Sequence, residues 1–175
     1  MGLDHYELAG SKAEDFRQDF KPVLANVDLS DRQQLRTGLS GHKTTSAIYF
    51  WVLEYEGRTY KVYIGKATSL ATRVSNYIAK FQPRAPDDYK MRIFHEFISE
   101  ECPGCTLSLY AKECGPEAKE RAKAEKDAIT KFYPLMVQNV KKATEADYDA
   151  IKAAYETYYR SAMRSAIANT PLGLE

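Results

Sequence analysis

The sequence predicts an α+β domain in which helices flank a small, three-stranded, mostly antiparallel sheet. Residues 47–55 are dense in β-branched and aromatic side chains, which is typical of a strand. Residues 59–65 alternate in polarity after a turn at Gly57 and predict the second strand of a hairpin. Residues 106–111 alternate in the same way and predict a third strand. The 175 residues are enough for one domain with terminal extensions.

The first 45 residues predict a helical extension ahead of this domain. Residues 11–39 are polar with scattered apolar positions, and they favour two short helices broken near Pro22 and Gly41. Proline lacks the N–H that a helix interior needs, and glycine disfavours a helix interior entropically. We therefore place the main domain at residues 46–140.

Helices are predicted on both sides of the third strand. The first starts at Thr68 or Ser69, and its apolar positions have helical spacing: Leu70, Val74, Ile78 and Phe81. A second helix covers residues 87–99. A third starts near Pro116 and ends before Pro134.

The last segment, residues 141–175, predicts a C-terminal helix over residues 144–168. This helix carries four tyrosines, Tyr148, Tyr155, Tyr158 and Tyr159. Aromatic residues at helical spacing favour packing in the core or in a homo-oligomer, and stacking on exposed bases is the alternative.

Charge is distributed unevenly along a nearly neutral chain. There are 25 Lys and Arg against 24 Asp and Glu, which excludes a uniformly basic protein. Residues 58–92, however, carry a net charge of +6. Such an island suits a polyanion-binding face, and a solvated surface is the alternative.

The sequence shows no targeting signal and no membrane span. No run approaches the roughly 18 apolar residues of a spanning helix, and the first ten residues lack the order of a signal peptide. Three cysteines are too few for a disulfide scaffold, so we expect a reducing cytoplasm.

Glu125 interrupts the apolar side of the helix that follows Pro116. The predicted stripe on this helix consists of Ala118, Ala122, Ile129 and Phe132. A buried carboxylate needs a partner, because an isolated buried charge is costly. That partner is either a Lys or Arg side chain, which is the commoner case, or a hard cation such as Mg²⁺.

Several of these residues together resemble a known signature. Ala47-Ile48-Tyr49 is followed, fourteen residues on, by Tyr63-Ile64-Gly65. This pair, with Arg73 in the next helix and Glu125 in a later one, resembles the GIY-YIG nuclease superfamily. UvrC-like excision-repair nucleases and small phage endonucleases are the most similar members. Ala47 replaces the first glycine of the signature, a small change that should leave the hairpin intact.

The resemblance implies hydrolysis of DNA phosphodiester bonds with one divalent metal ion, Mg²⁺ or Mn²⁺. It implies six catalytic positions, filled here by Tyr49, Tyr63, Lys66, Arg73, Tyr77 and Glu125. Glu125 would bind the metal, Arg73 would hold a phosphate oxygen, and Tyr49 would take the proton from the attacking water. Lys66 would assist Tyr49, and the other two tyrosines would orient water or phosphate. Contacts to DNA are expected from Lys66, Lys80, Arg84, Lys90 and Asn139.

Two other interpretations of the site follow from the sequence. A nucleic-acid-binding module that has lost cleavage is the alternative function, although every main catalytic position is filled. A structural domain with an ion-paired Glu125 is a third possibility.

A zinc site is a separate candidate, formed by His95, Cys102, Cys105 and Cys114. The Pro-Gly between two of these cysteines also makes a tight turn, which is the alternative.

Overall fold

Four antiparallel strands form the sheet of the computed structural model, which describes residues 6–28, 31–55, 57–75 and 104–134. The strands are β1 (Lys21–Leu24), β2 (Ala47–Tyr55), β3 (Arg58–Ala67) and β4 (Thr106–Glu113). Their spatial order is β1-β4-β2-β3. The α+β class and the three predicted strands are confirmed.

The prediction of a three-stranded sheet is wrong, because β1 adds a fourth strand. Lys21 pairs with Ala111 and Pro22 with Tyr110, in a region that the sequence assigned to helices. Proline is tolerated here because β1 is an edge strand among the described residues, where a missing N–H breaks no ladder. The N-terminal extension is therefore part of the sheet and is not purely helical.

Four helices pack against this sheet in the described residues. They are α1 (Gly10–Asp19), α2 (Arg32–Leu39), α3 (Leu70–Ser75) and α4 (Ala118–Phe132), and a short 3₁₀ turn (Ser40–His42) follows α2. Asp31 caps α2, since its carboxylate accepts hydrogen bonds from two backbone N–H groups at 2.9 and 3.0 Å. Within these described segments, no helix has the length and apolar character needed to span a membrane.

The two faces of the sheet carry separate hydrophobic clusters. On the face covered by α2 and α3, which we call the α2/α3 face, a cluster packs around Tyr49, Trp51 and Leu70. On the opposite face, the α1/α4 face, the core consists of Phe16, Phe20, Ile48, Phe50, Val52, Ile64 and Phe132, with Leu8 beside them. Successive residues of a strand point to opposite faces, so β2 and β3 supply residues to both clusters, and β4 reaches the second through Tyr110.

Candidate functional site

Tyr49 lies directly over Gly65. The two residues are register partners in β2 and β3. A Cβ atom added at Gly65 would overlap the hydroxyl end of the Tyr49 ring and would lie 3.0 Å from its Cε1 atom. Gly65 has no left-handed backbone conformation. Of the two usual reasons for a glycine, positive φ or close approach, the close approach of the ring applies here.

Arg73 binds the hydroxyl of this tyrosine. Its Nε donates a hydrogen bond of 3.2 Å to the Tyr49 hydroxyl oxygen. Two contacts position α3 for this: Ser69 accepts from the Thr72 N–H at 3.2 Å, and the Leu70 N–H donates to the Thr45 carbonyl at 3.0 Å. The helix that carries Arg73 is thus held at the start of β2.

Tyr63 completes the group on the α2/α3 face. Its ring is tilted by 52° to that of Tyr49, with centroids 6.1 Å apart. The structure therefore brings together three residues that the sequence selected. The Tyr49 side chain is 1% exposed, so its phenol lies inside the protein in this conformation.

Glu125 and Lys66 meet on the α1/α4 face. The Lys66 ammonium donates a hydrogen bond to the Glu125 carboxylate, and the two side chains are 44% and 21% exposed. A Lys or Arg partner was one of the two predicted for Glu125. The predicted stripe needs correction, because Ala118 and Ala122 are exposed. The side of α4 that packs on the sheet carries Ala124, Ala128, Ile129 and Phe132, and Glu125 lies beside it, half-buried.

Lys66 does not lie on the face of Tyr49. In the register, Lys66 is opposite Ile48 and Gly65 is opposite Tyr49, so their side chains point to opposite faces. The cause is a β-bulge, a register shift between Trp51 and Val52. The expected assistance of Tyr49 by Lys66 is therefore not formed, and Arg73 is the cation that contacts this tyrosine.

Glu125 suits a weak Mg²⁺ site better than a dedicated metal cage. The described part of the chain has no group of three or more His, Cys, Asp or Glu side chains that could hold a metal ion. Mg²⁺ often binds through one or two carboxylates, with water and substrate phosphates completing its coordination. One partly exposed carboxylate fits this kind of site.

The described cysteines do not support the zinc interpretation. Cys105 is disulfide-bonded, and a disulfide sulfur is no thiolate ligand. Cys114 is free and half-buried, with its sulfur 3.8 Å from the Ser46 hydroxyl. His95 and Cys102 lie outside the described residues.

A charged cluster on the same face as Lys66, across strand β2 from it, was not selected from the sequence. Asp19 accepts hydrogen bonds from Lys112 at 3.0 Å and from Lys131 at 3.3 Å. The bond from Lys112 lowers the pKa of Asp19 below its usual value, although burial opposes this. These side chains border a cavity of about 200 Å³ beside Ile48. The contacts join α1 to distant parts of the chain, so no local sequence signal predicts them.

The remaining site residues lie outside the described residues; they are Tyr77, Lys80, Arg84, Lys90 and Asn139.

Comparison with protein-family models, with curated proteins and with solved structures finds no match to this chain. The resemblance to GIY-YIG nucleases therefore stays a prediction from the residues themselves.

Proposed function

We propose that this chain is a divalent-metal-dependent endonuclease that hydrolyses DNA phosphodiester bonds by a GIY-YIG mechanism. The observation that carries the proposal is the hydrogen bond from Arg73 to Tyr49, above Gly65. It joins the two halves of the Ala-Ile-Tyr and Tyr-Ile-Gly signature to the arginine of the next helix, three elements that the resemblance assigns to one site.

Tyr49 and Arg73 suit proton transfer near a phosphate. The Arg73 guanidinium fixes the position of the Tyr49 hydroxyl oxygen, and Tyr49 would take the proton from the attacking water. The same guanidinium has further N–H groups that suit a phosphate oxygen. Tyr63 and Tyr77 would orient the water or the phosphate.

Glu125 is the proposed ligand of Mg²⁺ or Mn²⁺. Such an ion, when bound, stabilises negative charge on the scissile phosphate and on the leaving oxygen. Lys66 is its neighbour and a proposed phosphate contact, with Lys80, Arg84, Lys90 and Asn139 as further DNA contacts. Homo-oligomerisation stays a prediction from the sequence, and so does a cytoplasmic location, which the disulfide of Cys105 does not favour.

Replacing Glu125 tests the proposal. Glu125→Gln keeps the size of the side chain and removes its charge, so we expect cleavage of plasmid, linear and branched DNA in Mg²⁺ to be abolished. The fold should persist, because an exposed ion pair contributes only about 0–1 kcal/mol. Glu120→Gln, an exposed carboxylate on the first turn of the same helix, is the matched control and should cleave normally. Wild-type cleavage in excess EDTA, or a fully active Glu125→Gln, would contradict the proposal.

A nucleic-acid-binding module without cleavage is the second candidate. The ion pair between Lys66 and Glu125 gives Glu125 a structural partner without any metal, which favours both this module and a structural domain over the nuclease. Under this alternative, divalent cations would change neither the melting temperature nor DNA affinity.

The biological role, whether repair, restriction, phage-type or mobile-element cleavage, does not follow from the fold. Identifying which form of DNA is cut, and sequencing the ends that cleavage leaves, would distinguish these roles.

A further inference from the structure

Lys66 occupies the carboxylate that the proposed metal ion would bind. Its ammonium is hydrogen-bonded to Oε2 of Glu125, and within the described residues it is the ion-pair partner of that glutamate. An ammonium and a divalent cation compete for a carboxylate oxygen, because both are attracted by the same negative charge and cannot occupy the same position. Binding of the metal therefore requires Lys66 to move.

The ion pair is open enough for this exchange. Lys66 is 44% exposed and Glu125 21%, so water reaches both groups. Ion pairs with this exposure are weak, and the lysine side chain has a flexible four-carbon stem. The ammonium can leave the carboxylate for solvent or for a phosphate without any change in the strand.

We propose that Lys66 is an internal counterion of Glu125, that a divalent cation displaces it, and that the displaced ammonium then binds a phosphate of the nucleic acid. This inference rests on the proposed function, since it takes Glu125 as the metal ligand. When the divalent cation replaces the ammonium on Glu125, the site gains the full charge of the cation, because the Lys66–Glu125 pair was neutral. The affinity of this surface for a polyanion thus increases only when the metal is bound.

Lys112 provides a matched control. It lies on β4 in the same row of the sheet as Lys66, since both are register partners of Ile48. It also forms an ion pair, with Asp19 at 3.0 Å, and the two side chains are 49% and 31% exposed. Lys112→Met therefore removes a comparable ion pair from the same face and leaves Glu125 with its own partner.

Binding of Mn²⁺ to the full chain without nucleic acid, measured by calorimetry, tests the first part. Lys66→Met should bind Mn²⁺ roughly two- to fivefold more tightly than the wild type, the change expected from losing a weak exposed competitor. Lys112→Met should bind like the wild type, and Glu125→Gln should lose this binding. Lys66→Gln repeats the test with a polar side chain, and thermal unfolding checks that each variant is folded.

The outcomes separate this inference from the proposed function. Unchanged or weaker Mn²⁺ binding by both Lys66 variants, with binding still lost in Glu125→Gln, overturns the inference alone. Mn²⁺ binding by Glu125→Gln equal to that of the wild type overturns both, because Glu125 would then not be the ligand.

Affinity for duplex DNA tests the second part, with Ca²⁺ in place of a cleavage-supporting metal. Without divalent cations, Lys66→Met should bind duplex DNA somewhat more weakly than the wild type, because its Glu125 is left uncompensated, but with the same slope of log affinity against log salt, because Lys66 is engaged with Glu125 and contacts no phosphate. With Ca²⁺, the wild type should bind duplex DNA more tightly than Lys66→Met does. Its slope of log affinity against log salt should be steeper than that of Lys66→Met by about 0.9, the value of one phosphate contact. Equal slopes in Ca²⁺ would overturn the release of Lys66 to a phosphate.

Discussion

Gly65→Ala is the substitution whose effect follows most directly from the structure. The added methyl group would overlap the Tyr49 ring at Cζ and at the hydroxyl. The ring cannot move aside freely, because it is fully buried and its hydroxyl is bound by Arg73. Inserting a methyl group into a packed core costs about 1–3 kcal/mol, and we expect the upper half of that range here.

Urea unfolding followed by circular dichroism measures the loss in free energy of unfolding, and thermal unfolding of the same variant measures the change in melting temperature. For a chain of this length, each 1 kcal/mol lowers the melting temperature by about 2–4 °C, so a decrease of roughly 4–12 °C is expected. Gly41→Ala is the matched control, because no atom lies within 4 Å of the position of its added Cβ. That variant should be unchanged or slightly stabilised, as expected for glycine replacement at a compatible position.

A double-mutant cycle identifies the Tyr49 ring as the cause. Tyr49→Leu removes the far end of the ring, so Gly65→Ala in that background should cost less than about 1 kcal/mol. The same loss of stability in both backgrounds would refute the reasoning, and so would a Gly65→Ala variant as stable as Gly41→Ala.

Two further predictions concern single side chains. The lowered pKa of Asp19 means that its contribution to stability is present above its ordinary value of 3.8 and is lost as the pH falls through the lower folded value. Asp19→Asn should therefore flatten the acid limb of the stability profile; an unchanged limb would contradict this. Tyr49→Phe should retain duplex binding and lower the cleavage rate by roughly 10² to 10⁴, the usual effect of losing a positioned acid or base. Normal cleavage by this variant would exclude Tyr49 as the base.

Local patterns in the sequence were sufficient for most elements of the sheet and for α4. The predicted first strand coincides with β2, because residues 48–52 are all β-branched or aromatic. The end of α4 at Phe132 follows from Pro134 two residues later, with Tyr133 in the left-handed conformation at the C-cap. Both signals are contained in a few neighbouring residues.

Strand β1 could not be predicted in this way. Its sequence is Lys-Pro-Val-Leu, and proline in a polar stretch normally indicates a break. What makes it a strand is pairing with β4, in which Leu24 lies opposite Leu109. This partner is far away in the sequence, so the information is tertiary and absent from any local pattern.

The faces of the site residues depended on one irregularity in the hairpin. In a regular hairpin counted from Tyr55 opposite Arg58, Lys66 would pair with Ala47 and share a face with Tyr49. The bulge after Trp51 shifts the register by one residue, which places Gly65 opposite Tyr49 and turns Lys66 to the other side. Period-two alternation predicts which residues of one strand share a face, but it does not show where a bulge occurs.

This arrangement restricts how the two groups of residues could serve one reaction. Tyr49 and Arg73 lie on one face of the sheet, and Lys66 and Glu125 on the other, with only strand β3 between them. β3 is the last strand in the described sheet, so a phosphodiester group that contacts both must pass around the edge or the end of this strand. Residues that act on one phosphate are non-additive. Glu125→Asp keeps a carboxylate and so leaves a measurable rate; if the two groups form one site, Tyr49→Phe combined with Glu125→Asp is no slower than the slower single variant. If Tyr49 acts only through packing, the two losses multiply, and catalysis then belongs to the α1/α4 face alone.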